Sequence, residues 1–242
     1  MLNLCDLIVE IDGALDTDFC ESVINRFEED PRIKAGVSGS GLDETIKKST
    51  DLHLSTVDGW KDIDTAFYDA LFPHSREYYS FLKKELGMVS VYGDSLCDSG
   101  YQIQKTSPEG FYAWHTDDAY FFLRDTDTVP TSSNRIYQSS VGYERRIYTY
   151  IFYLNDVTDG GRTQFRLGGD EYYSVTPKAG KLILFPANSF YNHRGEVLNS
   201  GVKYLSTGWV SDYVVYATKR SSSYSQSMRN LIVETGGTLR NA

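Results

Sequence analysis

Seven short apolar runs from residue 101 onward, YQIQK, FYAWHTD, RIYTYIFYL, RTQFRL, EYYSV, KLILF and KYLSTGWV, are set apart by Gly, Pro, Asn, Asp and Ser. Aromatic and β-branched residues in short alternating stretches suit half-buried strands, and the residues between them turn the chain back on itself. Two amphipathic stretches precede these runs. In DTDFCESVINRFEED, Phe19, Val23, Ile24 and Phe27 share one helical stripe behind Asp16 or Thr17 as N-cap. Residues 57–86 carry Trp60, Ile63, Phe67 and Leu71, with a break expected at Pro73 and a second helix through Tyr79, Leu82 and Leu86. The opening LIVEIDGAL reads as a strand entering a turn. Each helix has one apolar side that needs a sheet to cover, so the predicted class is α+β, helices first, with a strand-built sandwich or barrel after them.

No low-complexity linker and no repeat divides the 242 residues, which predicts one domain over 1–242: a helical lead-in over 1–95, a β core over about 98–212 and a tail over 213–242. Residues 124–145 form a long polar connection of the kind that makes lids, and residues 221–242 are a Ser-rich tail. The formal charge of −9 argues against a broad phosphate-binding surface, so no nucleic-acid partner is expected. The start of the chain has no basic segment leading into a long apolar one, which predicts neither a signal peptide nor a membrane span and a cytoplasmic setting. Cys5, Cys20 and Cys97 are odd in number and far apart, as for reduced thiols rather than a disulfide framework.

The chain has four histidines, and one of them stands in YAWHTDD, two residues before a carboxylate. On a strand, His115 and Asp117 project to the same face. The pair is either a hydrogen-bonded couple or two-thirds of a metal site, and a third ligand decides between these. His193 follows KLILFPANSFYN, where a barrel of strands can bring it opposite the pair. Two His and one carboxylate on one side of an ion suit non-haem Fe(II) and also zinc. Ten residues further on, Lys203 sits in the apolar strand GVKYLSTGWV. It either faces solvent or faces inward, where it requires an anion. His53 and His74 lack such partners and read as structural or surface residues.

Taken in order, His115-x-Asp117, RIYTYIFYLND from Arg146, GGRTQF, the distal His193 and GVK ending at Lys203 resemble the prolyl 4-hydroxylase type of Fe(II)/2-oxoglutarate-dependent dioxygenase. The resemblance covers about residues 104–210. It implies a double-stranded β-helix core, a jelly roll of cupin-like form, flanked by N-terminal helices. His115, Asp117 and His193 would hold Fe(II), Lys203 would bind the distal carboxylate of 2-oxoglutarate, and Tyr153 would donate its hydroxyl to the same carboxylate. Thr149 would line the cosubstrate pocket or pack in the sheet. Arg146 would face substrate or end a strand, and Tyr112 would lie near the iron or pack as an ordinary aromatic. Trp209 is expected in the core.

The implied reaction consumes O2 and 2-oxoglutarate, releases succinate and CO2, and hydroxylates an unactivated C–H bond without a protein acid or base, with ascorbate as reductant. The implied substrate is a prolyl residue in a peptide or protein; a free amino acid or other small molecule is the alternative. Two other classes are a binding module that kept the barrel without its chemistry and a zinc hydrolase, the second of which leaves Lys203 and Tyr153 without a role. Two positions depart from the family pattern. Lys105 stands where some relatives have a pocket tyrosine, and Arg162 stands where an acidic residue is common.

Overall fold

The computed structural model of the chain describes residues 2–88, 96–123, 140–168 and 172–217. In chain order the strands are β1 (Val9–Ile11), β2 (Lys34–Ala35), β3 (Lys47–Lys48), β4 (Thr50–His53), β5 (Leu96–Asp98), β6 (Gln102–Thr106), β7 (Phe111–His115), β8 (Tyr120–Leu123), β9 (Ser140–Tyr153), β10 (Thr163–Arg166), β11 (Tyr173–Val175), β12 (Leu182–Pro186), β13 (Asn192–Gly195) and β14 (Lys203–Ala217). The larger sheet runs β1-β12-β9-β14-β6-β4-β2, with β5 paired to β14 and β8 to β9; the smaller runs β11-β10-β13-β7-β3. Neighbours within each sheet pair antiparallel, and the architecture is a double-stranded β-helix with two helices on one face.

Alternation along β9 explains why the helices sit where they do. Tyr148, Tyr150 and Phe152 project to one face of the large sheet, and Thr149, Ile151 and Tyr153 to the other. The first face receives α1 (Thr17–Glu28) and α2 (Lys61–Leu86). Phe67 of α2 stacks on Tyr101 with ring centroids 5.2 Å apart, meets Phe152 at 5.4 Å, and takes Phe19 of α1 edge-on at 5.7 Å. Asp16 caps α1 by accepting from the Asp18 amide at 2.8 Å, and Cys20, Val23 and Phe27 form its buried stripe.

Two expectations change. Pro73 does not break the second helix, which is continuous over 26 residues. The carbonyl that loses its donor belongs to Asp69, on the exposed side, where water can satisfy it, while Phe67, Leu71, Tyr78 and Leu82 keep one buried stripe across the proline. Nor do the helices all precede the strands: β1 to β4 interleave with them, and β4 pairs with β6 to extend the large sheet. Of the expected loop over 124–145, residues 124–139 lie outside the described residues, whereas residues 140–145 are already strand, paired with β14 and β8. β14 likewise runs to Ala217, past the core boundary expected near 212, and residues 218–242 lie outside the described residues.

Candidate metal centre and its cavity

Between the two sheets lies a cavity of about 510 Å³, walled on one side by the inner faces of β9, β14, β6 and β4 and on the other by β7 and β13. β7 and β13 pair with His115 opposite His193, so the register of the small sheet alone brings the two imidazoles together, 4.1 Å between ring centroids. Asp117 follows the end of β7 and turns in beside them. His115 Nε2 lies 3.8 Å from Asp117 Oδ1, His193 Nε2 lies 3.6 Å from Asp117 Oδ2, and one ligand atom from each residue falls within 4.8 Å of the others.

The remaining nitrogen of each ring fixes the chemistry of this cluster. His115 Nδ1 is 2.8 Å from the Ala113 carbonyl and His193 Nδ1 is 3.0 Å from the Tyr191 carbonyl. A carbonyl only accepts, so each Nδ1 carries a proton and each Nε2 is the ring atom that faces Asp117. Burial, reinforced by the charge of the neighbouring His193, lowers the His115 pKa to about 4, which keeps that ring neutral at physiological pH. For Asp117 burial is the largest influence and opposes ionisation. The two histidines and the Thr149 hydrogen bond outweigh it, and the carboxyl stays below its ordinary value. Two Nε2 atoms and a carboxylate held ionised on one side, open to the cavity on the other, are a donor set that fits Fe(II).

Thr149 touches this cluster directly: its hydroxyl donates to Asp117 Oδ2 at 2.6 Å, leaving Oδ1 for a metal. Thr149→Val keeps the shape but removes that donor and is expected to lower metal affinity roughly tenfold to a hundredfold. Titration with Mn(II), followed by electron paramagnetic resonance, measures it. On the opposite side of His115, Tyr112 stacks on the ring at 3.7 Å between centroids and an interplanar angle of 21°.

Lys203 faces inward at the far arm of the cavity, 4 % exposed, with one hydrogen bond, from Nζ to the Gly161 carbonyl at 2.9 Å. Among the described residues no carboxylate comes within ion-pair distance of it: Glu196, the nearest to bear on its charge, is held by Arg162 through two contacts of 2.7 Å. Burial lowers the ammonium pKa to about 8. Thr163, Ile151 and Leu205 wall the same arm. Tyr153 is fully buried behind it and does not line the cavity; its hydroxyl donates to Thr163 Oγ1 at 2.6 Å. Burial pushes its pKa up, so it stays a donor, and of the two residues it is Thr163 that lines the cavity.

Arg146 also lines the cavity, its guanidinium 3.3 Å from the centroid of the Trp209 ring. A β-bulge brings it there: β14 pairs Val210 with Tyr148 but Ser211 with Arg146, so Ile147 is skipped and the alternation changes phase. Trp209, ahead of the bulge and alternating with Leu205 and Thr207, is a half-buried cavity residue rather than part of the core, and His53, expected to be structural or on the surface, is exposed at the edge of the cavity. Lys105 points away from the cavity to Glu28 at 2.7 Å, so the departure from the family at that position leaves the pocket to Gln104 and Thr106.

Residues 101–211 match the model of the 2OG-Fe(II) oxygenase superfamily. A PKHD-type hydroxylase of Synechococcus sp. (strain CC9902) is 23% identical over 200 residues, 75% of this chain and 78% of that protein. Among solved structures, a viral collagen prolyl hydroxylase from Paramecium Bursaria Chlorella virus-1, in complex with 2OG, aligns with a TM-score of 0.53 at 18% identity, covering 85% of this chain and 96% of that one. A prolyl hydroxylase from Trichoplax adhaerens, in complex with a hypoxia inducible factor peptide fragment, aligns with a TM-score of 0.59 at 14% identity, covering 84% of this chain and 82% of that one. At these identities the structural likenesses establish the fold.

Proposed function

We infer from the match of residues 101–211 to the 2OG-Fe(II) oxygenase superfamily model, taken with the site they build, that the chain is a dioxygenase hydroxylating a prolyl residue of a peptide or protein. The reaction consumes 2-oxoglutarate, O2 and the substrate C–H and yields succinate, CO2 and the alcohol, with ascorbate as reductant. The observation that carries this reading is one cavity holding both a His-Asp-His cluster with two Nε2 atoms turned to the carboxylate and a buried ammonium without a carboxylate partner among the described residues.

His115, Asp117 and His193 would hold Fe(II), which supplies, when bound, the activation of O2 and the oxidative decarboxylation of the keto acid. Each protein group has a task of binding or orientation. The Nδ1–H bonds to Ala113 and Tyr191 hold the imidazoles in one tautomer, and Thr149 holds the carboxylate. Lys203 and the Thr163 hydroxyl, oriented by Tyr153, receive the distal carboxylate of 2-oxoglutarate. Arg146, flat on Trp209, faces substrate across the cavity.

Lys203 gives the binding step a pH dependence. Its pKa near 8 in the free protein means that below pH 8 the ammonium is already charged and 2-oxoglutarate binds at full strength. Above pH 8 binding must take up a proton, so the dissociation constant is expected to rise about tenfold per pH unit, to the limit set by the complex. The same shift makes the unliganded protein more stable as pH rises from about 8 toward the ordinary lysine value, because the unfolded chain then holds the proton that the folded chain has lost. Calorimetric titration at several pH values measures the first effect and thermal melts the second.

The test of function is to load the protein with Fe(II) and 2-oxoglutarate and present a panel of blocked prolyl peptides alongside free L-proline. Succinate release coupled to one added oxygen on a peptide supports the reading. Coupled turnover with free proline alone moves the assignment to a small-molecule hydroxylase.

A further inference from the structure

Beside the arm that ends at Lys203, the cavity has a second polar wall built largely from β3, β4 and β6. Lys47 enters it from β3, opposite Tyr112 of β7, and is 3 % exposed. Its Nζ donates to Asp51 Oδ2 at 2.6 Å and lies 5.3 Å from the centroid of the Tyr112 ring. Ser49 Oγ donates to Asp51 Oδ1 at 2.8 Å, and Gln102 Nε2 donates to Oδ2 at 2.9 Å. Gln104 Nε2 then donates to Gln102 Oε1 at 3.1 Å. The chain at Gly36 packs directly on this knot, where a Cβ would collide with Ser49 Oγ and Asp51.

These bonds have a direction. A carboxylate only accepts, so Asp51 turns the Nε2 end of Gln102 toward itself, and Gln102 is left with Oε1 facing Gln104. Gln104 must answer with Nε2, which turns its own Oε1 away from the knot. Gln104 lines the cavity, opposite Leu205 of the cosubstrate arm on one side and Asp51 on the other. A glutamine in water offers either end of its amide; here the buried ion pair selects the acceptor.

We propose that Gln104 is a specificity-determining residue whose Oε1 accepts a hydrogen bond from a substrate N–H, with Lys47, Asp51 and Gln102 as the positioning residues that aim it. The proposal rests on the prolyl-hydroxylase reading and adds to it the group that is recognised. A prolyl residue within a peptide has no N–H of its own, so the nearest backbone donor is the amide of the residue that follows it. Gln104 reads that amide.

The experiment takes a panel peptide that the wild type hydroxylates and its ester analogue, with oxygen in place of the N–H after the target proline. The wild type is expected to process the ester about tenfold less efficiently in kcat/KM. Gln104→Leu is expected to lose about tenfold on the amide peptide and to treat amide and ester alike. Asp51→Asn lets Gln102 turn its amide over and is expected to shrink the preference without removing it. Thermal melts check that the variants fold, and Gln104→Met replaces the leucine variant if it does not. An amide preference as large in Gln104→Leu as in wild type overturns the proposal and leaves the prolyl reading standing. So does a loss in Gln104→Leu that appears in the 2-oxoglutarate dissociation constant with the preference unchanged. Absence of any oxygenated peptide from the loaded wild type overturns the prolyl reading, and the proposal with it.

Discussion

In His193→Ala, metal affinity at the cluster is expected to fall by at least about a hundredfold and turnover by roughly a thousandfold or more. Three protein atoms lie within 4.8 Å of one another, and His193 supplies one of the two Nε2 donors. Removing it leaves one imidazole and one carboxylate, and Asp117 loses the neighbour that does most to keep its charge stable in a buried place. If 2-oxoglutarate binds partly through the metal, as proposed, its affinity is expected to fall with the metal's. Metal content after anaerobic loading and calorimetry of the cosubstrate measure both; unchanged metal affinity would remove His193 from the centre.

Lys203→Met is expected to separate what His193→Ala combines. Methionine keeps most of the volume in a strand that is buried on this face, and removes the charge. The lost interaction is a charge-assisted contact in a dry arm of the cavity, of the order of 3 kcal/mol, so 2-oxoglutarate binding should weaken roughly a hundredfold. Metal affinity should stay within about a factor of three, because the ammonium bonds Gly161 and not a ligand residue. With a pKa near 8 in the free protein, the ammonium costs stability when buried without its anion. The unliganded variant is therefore expected to melt no lower than wild type at neutral pH. Equal losses of metal and cosubstrate affinity in the two variants would contradict the division of roles.

The residues proposed to carry the chemistry were the most legible in the sequence. His115, Asp117, His193 and Lys203 are rare types in apolar surroundings, and a strand's alternation alone turns His115 and Asp117 to one side. Long alternating runs gave the large sheet for the same reason. Tyr153 and Thr163 show where this stops: both belong to the resemblance, but only packing decides which residue lines the cavity and which stands behind it. Arg146 depends on a bulge, which shifts the period by one residue and leaves no mark in composition. The wall formed by Lys47, Asp51, Gln102 and Gln104 was missed for a different reason. β3 has two residues, both lysine, and β4 has four, too short for any period to show, and their charges look like those of a solvated loop. Pro73 misled through a rule that holds for buried helix interiors and relaxes where the freed carbonyl faces water.

On the proposed reading, one cavity binds a metal at His115, Asp117 and His193 and 2-oxoglutarate between that metal and Lys203. Anaerobic calorimetric titration of 2-oxoglutarate into wild-type protein, with and without Mn(II) as a redox-quiet stand-in for Fe(II), tests it most directly. The expected result is saturable binding at one site with the metal, and binding at least tenfold weaker without it, since the keto-acid end then loses its partner. Equal binding in both titrations, or none in a folded protein that has taken up Mn(II), would contradict the account.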